Sequence, residues 1–182
     1  MQDWTRRAAL LGGAATAAGC GEIAVLTQDE INRDVFASRD LLFATVPWAE
    51  ELASRASGLL IIPEIVEGGF ILSAAYGEGA LLIGDAPVDY VSFTSTAFGL
   101  QIGAQAFSHA LFFLTAEVLR QFRVTDGWEL GVDAEFAVPD KGLGAGFSTT
   151  TVGRPVVATI YGQRGLLAGA SFEGTKYSRL IR

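Results

Sequence analysis

Cys20 is the only cysteine of the 182-residue chain, and its neighbours are those of a lipid attachment site. It ends a short run of small and apolar residues, Ala17-Ala18-Gly19-Cys20, which the paired Arg6 and Arg7 precede. This run is too short and too weakly apolar to span a bilayer as a mature helix, which is typical of a cleaved export signal. We predict a twin-arginine-type lipoprotein signal peptide over residues 1–19, with Cys20 as the diacylated mature N-terminus.

A second interpretation of this segment stays open. An ordinary secretory signal whose cleavage site falls near a cysteine would show the same small residues, and Ala17 stands where Leu is commonest in lipid attachment sites. The lipoprotein interpretation places the protein in the cell envelope, lipid-anchored and facing the periplasm, on either the inner or the outer membrane.

Candidates for catalysis are few. The only histidine, His109, lies in an apolar run predicted to be a strand, and Ser108 beside it would point to the opposite face. No Gly-x-Ser-x-Gly turn presents a nucleophile, and a zinc site would need three or four nitrogen or sulfur ligands. We therefore expect no enzyme, no metal site and no cofactor.

Two further patterns have ordinary explanations. Gly142, Gly144 and Gly146 lack the spacing and the following helix of a phosphate-binding turn, which favours a flexible loop over residues 140–150. Asp133 and Glu135 would share one face of a strand, as in a carboxylate pair or a calcium site, but strand alternation favours a solvated outer face as their explanation.

Charge is distributed unevenly along the chain. After residue 19 there are eleven Lys and Arg against nineteen Asp and Glu, which argues against a nucleic-acid partner. Residues 141–182 nevertheless hold six basic residues against Glu173 alone. These candidates for lipid head-group contact are Lys141, Arg154, Arg164, Lys176, Arg179 and Arg182. Alternatively, they scatter over several strand faces and pair with the acidic part of the chain.

Local patterns predict helices first and strands afterwards. Thr27-Gln28-Asp29-Glu30 is a capping-box sequence that predicts a helix over residues 28–45, and Pro47 favours a second helix over 48–56. From Gly58 onward, β-branched and aromatic runs alternate with turn residues, and a short helix is predicted over 115–122. The predicted strands are 59–62, 69–76, 79–83, 90–98, 107–114, 129–136, 156–161 and 165–173.

We therefore predict an α+β fold. N-terminal helices are followed by a Gly-rich, mainly antiparallel β-sheet or barrel-like domain with one short interposed helix. The predicted organisation is a signal peptide over residues 1–19, a short tether over 20–27 and one domain over 28–182.

Four segments of this domain resemble the SYLF family. They are Phe98-Gly99-Leu100-Gln101-Ile102-Gly103-Ala104-Gln105, Ala56-Ser57-Gly58-Leu59-Leu60-Ile61-Ile62-Pro63, Gly68-Gly69-Phe70-Ile71-Leu72, and the stretch from Tyr161 to Gly174. Their order and spacing are similar to the family pattern over about residues 50–180. SYLF domains occur in eukaryotic proteins with SH3 or FYVE domains and in bacterial lipoproteins.

The resemblance implies binding of phospholipid or phosphoinositide without catalysis, and actin binding is described for some fungal members. This chain differs from the eukaryotic pattern because it has no SH3 or FYVE domain and no clearly basic N-terminal helix. The leading hypothesis is a membrane-anchored lipoprotein that binds phospholipid. The alternative is an envelope structural or protein-interaction module, with an unknown protein partner, that uses its lipid only for location.

Overall fold

A computed structural model describes residues 26–69, 72–98, 103–138, 154–165 and 175–181. Several predicted features lie outside these residues: the signal peptide with Arg6 and Arg7, Cys20, Lys141, Arg182, the 140–150 loop, and the predicted strand 165–173 apart from Gly165. The described residues form three helices and one sheet, so the predicted α+β class is confirmed. Within them, no helix is both long enough and apolar enough to cross a membrane.

Two helices lead the domain, as predicted. The first, α1 (Gln28–Thr45), begins with a complete capping box, in which Thr27 Oγ1 accepts from the Glu30 backbone N–H at 3.3 Å. In return, the Glu30 carboxylate accepts from the Thr27 backbone N–H at 2.8 Å. The second, α2 (Ala49–Arg55), is closed by an Arg55–Glu51 ion pair at 2.6 Å. The capping box satisfies backbone N–H groups that the first turn of α1 would otherwise leave free.

The remaining elements build one sheet of eight strands. In chain order they are β1 (Gly58–Gly69), β2 (Leu72–Ile83), β3 (Ala86–Phe98), β4 (Gly103–Phe113), α3 (Ala116–Val124), β5 (Trp128–Glu129), β6 (Phe136–Ala137), β7 (Val156–Gly165) and β8 (Thr175–Leu180). The spatial order is β5-β8-β3-β2-β1-β4-β7-β6, antiparallel except for the β6–β7 pair. Among the described residues no strand pairing connects β5 with β6, so the sheet is open rather than closed.

Two strand predictions are wrong in an informative way. The predicted separate strands 69–76 and 79–83 are not separate, because residues 72–83 form the single strand β2, in which Gly77 and Gly79 are buried and do not break the strand. A Cβ on Gly79 would lie 1.9 Å from the Ile61 carbonyl oxygen, so β1 approaches β2 too closely there for any side chain. The predicted strand over 129–136 is mostly a turn, in which the Asp133 carboxylate accepts from the Glu129 backbone N–H at 2.6 Å.

Both faces of the sheet are buried near the start of β1. Leu59 and Ile61 face α1 and α2, whereas Leu60 and Ile62 point to the opposite face, which we call the concave face. The sheet curls strongly towards this face, because the His109 Nε2 on β4 lies only 2.7 Å from the Tyr177 hydroxyl on β8. On a flat sheet these strands, four steps apart, would be separated by about 19 Å. Side chains from distant strands therefore meet across the concave face.

Candidate functional site

A surface depression lies where α3 rests against β3 and β8. Two adjoining cavities of about 230 and 430 Å³ share Arg123, Val124 and Arg179 in their linings. We call them together the α3–β8 groove. The groove combines cationic and apolar side chains, a pairing suited to the interface between water and lipid.

Helix α3 is held in place by its buried side. Thr115 Oγ1 accepts from the Val118 backbone N–H at 3.3 Å and so caps the first turn. Leu119 and Phe122 are buried in the concave core, where Phe122 stacks near Phe113 with ring centroids 4.7 Å apart. The opposite side of the last turn, which carries Arg123 and Val124, is left facing the groove.

One carboxylate organises the cations of the groove. The Asp89 carboxylate on β3 accepts from Arg123 Nε at 2.6 Å and lies 3.8 Å from Arg179 Nη2. Arg179 also donates to the backbone carbonyl oxygen of Arg123, one of the carbonyls that the end of α3 leaves without a helical partner. A cation at this end is favoured by the helix dipole. Two guanidiniums thus share a single carboxylate.

The guanidinium groups of Arg123 and Arg179 have further N–H donors that could bind a ligand. The side chain of Asp89 is only 15% exposed, but those of Arg123 and Arg179 are 41% and 49% exposed. A guanidinium has five N–H donors, and within the described structure each of these two makes one hydrogen bond. Beside them Val124 is 69% and Ile181 98% exposed. Asp126 also lines the groove, so its charge and that of Asp89 offset the two cations.

The sequence-predicted basic residues are spread over the sheet. Arg154 pairs with Glu135, Arg164 with Glu64 at 3.8 Å, Lys176 with Glu129 at 3.0 Å, and Arg179 with Asp89. Of these four, only Arg179 lines the α3–β8 groove; Arg154 and Arg164 lie at β7, on the far side of β1 and β4 in the strand order. Their role in head-group contact stays a prediction.

The sequence prediction of head-group contacts did not include Arg120 and Arg123, because it considered only the basic residues of 141–182. Both line the groove, and Arg120 pairs with Glu117 at 2.7 Å. The predicted helix over 115–122 contains Arg120, and Arg123 lies one residue past its predicted end. Had the helix been extended by one turn, the two arginines, three residues apart, would have been placed on one helix face.

His109 is a structural residue of the concave core. It is fully buried, and its Nδ1 donates to the Thr159 carbonyl oxygen at 3.0 Å, which leaves Nε2 to accept from the Tyr177 hydroxyl. Burial lowers the pKa of His109 to about 4 and raises that of the Tyr177 hydroxyl well above its ordinary value. Ser108 faces away, as predicted, and donates to the Pro63 carbonyl oxygen at 2.6 Å. Within the described residues no group of three acidic, histidine or cysteine side chains could hold a metal ion.

One family model matches part of the chain. Residues 94–179 match the family model of Ysc84, described as the Las17-binding protein actin regulator. This segment, from the second half of β3 to Arg179, matches the Ysc84 (SYLF) family, which confirms the resemblance found in the sequence. The match supports a module of the lipid-binding or actin-regulator type. No curated protein matches the chain.

Proposed function

We propose that the protein is an envelope lipoprotein whose SYLF domain binds phospholipid without catalysis, with the α3–β8 groove as the contact surface. The observation that carries the proposal is the groove itself, where Arg123 and Arg179 stand beside the exposed Val124 and Ile181. Guanidinium forks bind phosphate oxygens well, and aliphatic side chains next to them suit the acyl boundary of a bilayer.

Affinity for the head group is expected to be weak. Asp89 and Asp126 offset the two cations, and each basic group near an anionic bilayer contributes only about 1 kcal/mol. The acyl chains on Cys20 would supply the stable attachment, at about 0.8 kcal/mol per buried methylene. Tethering also raises the local concentration of bilayer, so a weak contact is sufficient.

The test is co-sedimentation of a Cys20→Ala protein, which lacks the anchor, with phosphatidylglycerol and phosphatidylcholine vesicles at low and moderate salt. We expect salt-sensitive binding to the anionic vesicles only. The double variant Arg123→Gln/Arg179→Gln should lose about tenfold in affinity or more, at about 1 kcal/mol per charge.

Arg154→Gln/Arg164→Gln is the matched control, because it removes the same charge at β7. It should keep most of the affinity. An equal loss in both double variants would show that the contact is not at the groove, and no vesicle binding by the parent would refute a lipid-binding domain.

A protein-interaction role is the second candidate, and one feature of the sheet favours it. Strand β6 pairs only with Val156 and Val157, so within the described residues the outer edge of β7 from Ala158 to Tyr161 carries no strand partner. Such an edge can accept a strand from another protein. The family description names a protein partner for Ysc84. Vesicle binding that vanishes completely in Cys20→Ala would favour this role.

A further inference from the structure

The two cavities of the α3–β8 groove differ in the charge of their linings. The larger cavity, of about 430 Å³, is lined by Arg120, Arg123 and Arg179, and within the described part of the chain no carboxylate lines it. The smaller cavity, of about 230 Å³, also has two carboxylates in its lining, those of Asp89 and Asp126. The groove therefore changes from positive at Arg120 to negative at Asp126.

The carboxylate of Asp126 is open to a ligand. Asp126 follows the end of α3, is exposed, and forms no ion pair within the described residues. Asp89, the other carboxylate of the smaller cavity, already contacts Arg123 and Arg179. Because a carboxylate has about four acceptor positions, Asp126 can accept hydrogen bonds from a cationic group.

Arg120 supplies the positive end of the groove. Its Nε and Nη2 donate to the Glu117 carboxylate at 3.2 and 2.7 Å, which leaves the donors of Nη1 for a ligand. Arg123 follows three residues later, about 4.5 Å further along the helix axis. Since both side chains line the larger cavity, they can bind one phosphate group between them.

One small ligand can reach both ends. Arg123 and Arg179 line both cavities, so a group bound to them lies at the boundary of the two. The smaller cavity has about the volume of eight water molecules, so Asp126 and the shared arginines lie within the length of one small head group. In phosphoethanolamine, only an ester oxygen and an ethylene group separate the phosphate from the ammonium. Its two charges therefore match the two ends of the groove.

We propose that the α3–β8 groove binds the phosphoethanolamine head group of a lipid, with the phosphate against Arg120 and Arg123 and the ammonium against the Asp126 carboxylate. This inference rests on the phospholipid contact proposed above and adds a head-group selectivity to it. The exposed Val124 and Ile181 favour a lipid over a soluble ester as the source, because they suit the acyl boundary. A choline head group has the same charge but no N–H donor for Asp126.

Vesicles with a constant fraction of phosphatidylglycerol test the selectivity. The Cys20→Ala full chain is co-sedimented with vesicles whose remaining lipid is either phosphatidylethanolamine or phosphatidylcholine, so the surface charge is the same. We expect about three- to tenfold tighter binding with phosphatidylethanolamine, the range for one net hydrogen bond. N-methylated phosphatidylethanolamines should lose this advantage stepwise. Equal affinity for the two mixtures would overturn the selectivity and leave the groove contact in place.

Asp126→Ser separates the ammonium contact from effects of lipid packing. Serine is common in turns, so the variant should keep the turn at Gly127 while it removes the charge. The preference for phosphatidylethanolamine should disappear. Asp85→Ser, which removes an exposed carboxylate outside the groove lining, should keep the preference of the parent. A preference that survives Asp126→Ser would contradict the site.

Arg120→Gln tests the phosphate end. Both lipids carry the phosphate, so this variant should weaken binding to both mixtures by about fivefold without changing the preference. A loss of preference with unchanged affinity for the phosphatidylcholine mixture would contradict the assignment of the phosphate to Arg120.

Glycerophosphoethanolamine and glycerophosphocholine, titrated against the same chain, identify the source of the head group. Weak binding of the soluble esters, with the same Asp126-dependent preference, would support a lipid. A soluble ester that binds as tightly as the vesicles do would overturn the lipid as the source. Asp126-dependent preference in solution without any vesicle binding would support the phosphoethanolamine site and refute the membrane contact, so the two proposals can fail separately.

Discussion

Asp89 is the residue that restrains the cations of the α3–β8 groove. Its carboxylate contacts both Arg123 and Arg179, and a lipid phosphate would compete for the same donors. We predict that Asp89→Asn increases affinity for phosphatidylglycerol vesicles about fivefold, because one negative charge is removed near an anionic surface. The same variant should lower the free energy of unfolding by about 1 kcal/mol through the weakened arginine contacts. Co-sedimentation and urea unfolding measure the two effects.

Asp85→Asn is the control for this prediction. Asp85 pairs with Arg39, its side chain is 95% exposed, and it lies outside the groove lining, yet the change in net charge is identical. The affinity of Asp85→Asn for vesicles should stay within about twofold of that of the parent, because salt screens the effect of a distant surface charge. An increase as large as that of Asp89→Asn would show a general charge effect.

His109 makes stability depend on pH in a defined direction. Burial holds its pKa at about 4 in the folded protein, against 6.5 for the unfolded chain, so the unfolded state binds more protons between these values. The free energy of unfolding should therefore fall as pH drops from 6.5 towards 4, by up to about 3 kcal/mol.

The variant His109→Gln tests this dependence, because it should change the slope of the unfolding free energy against pH. The amide keeps a donor and an acceptor but does not titrate, so the slope of unfolding free energy between pH 6.5 and 5 should flatten while the overall stability falls. Urea titrations at a series of pH values provide the measurement. A slope equal to that of the parent would assign the pH dependence to other groups.

At the scale of elements, the close approach of β1 and β2 depends on a missing side chain. A Cβ on Gly79 would collide with the Ile61 carbonyl oxygen at 1.9 Å, so Gly79→Ala must displace strand backbone. We expect a loss of about 3 kcal/mol, at the upper end of overpacking effects. Gly68→Ala on β1, whose nearest contact would be 3.8 Å away, should cost under about 1 kcal/mol. Equal losses in urea unfolding would contradict the close approach.

At the scale of the whole molecule, anchoring and head-group recognition should be separable. If Cys20 is acylated, the mature protein should stay on vesicles at high salt, because acyl burial is not screened, whereas the Cys20→Ala protein should be released. Mass spectrometry of the membrane fraction should show a mature N-terminus at Cys20 with its acyl groups. An unmodified mature chain that begins elsewhere would favour the ordinary secretory signal.

Local sequence was sufficient for the elements whose determinants lie within a few residues. The Thr27–Glu30 capping box and the apolar spacing of Ile31, Val35 and Leu42 identify α1, because all of these contacts form within one helix. Turn residues and β-branched runs identify the strand-rich remainder. The same reasoning predicted two strands where β2 is one, because Gly77 and Gly79 resemble residues that end a strand. The tertiary structure shows instead that the backbone of β1 packs closely against both glycines.

Composition and short motifs thus indicate an α+β fold with one histidine and one cysteine, and they resemble the SYLF family, whose model residues 94–179 match. The contacts that could bind a ligand come from the tertiary structure. Arg123 and Arg179 are 56 residues apart and meet only because β8 pairs with β3 beneath α3. Register and curl arise from cooperative packing across the sheet, which no local pattern encodes.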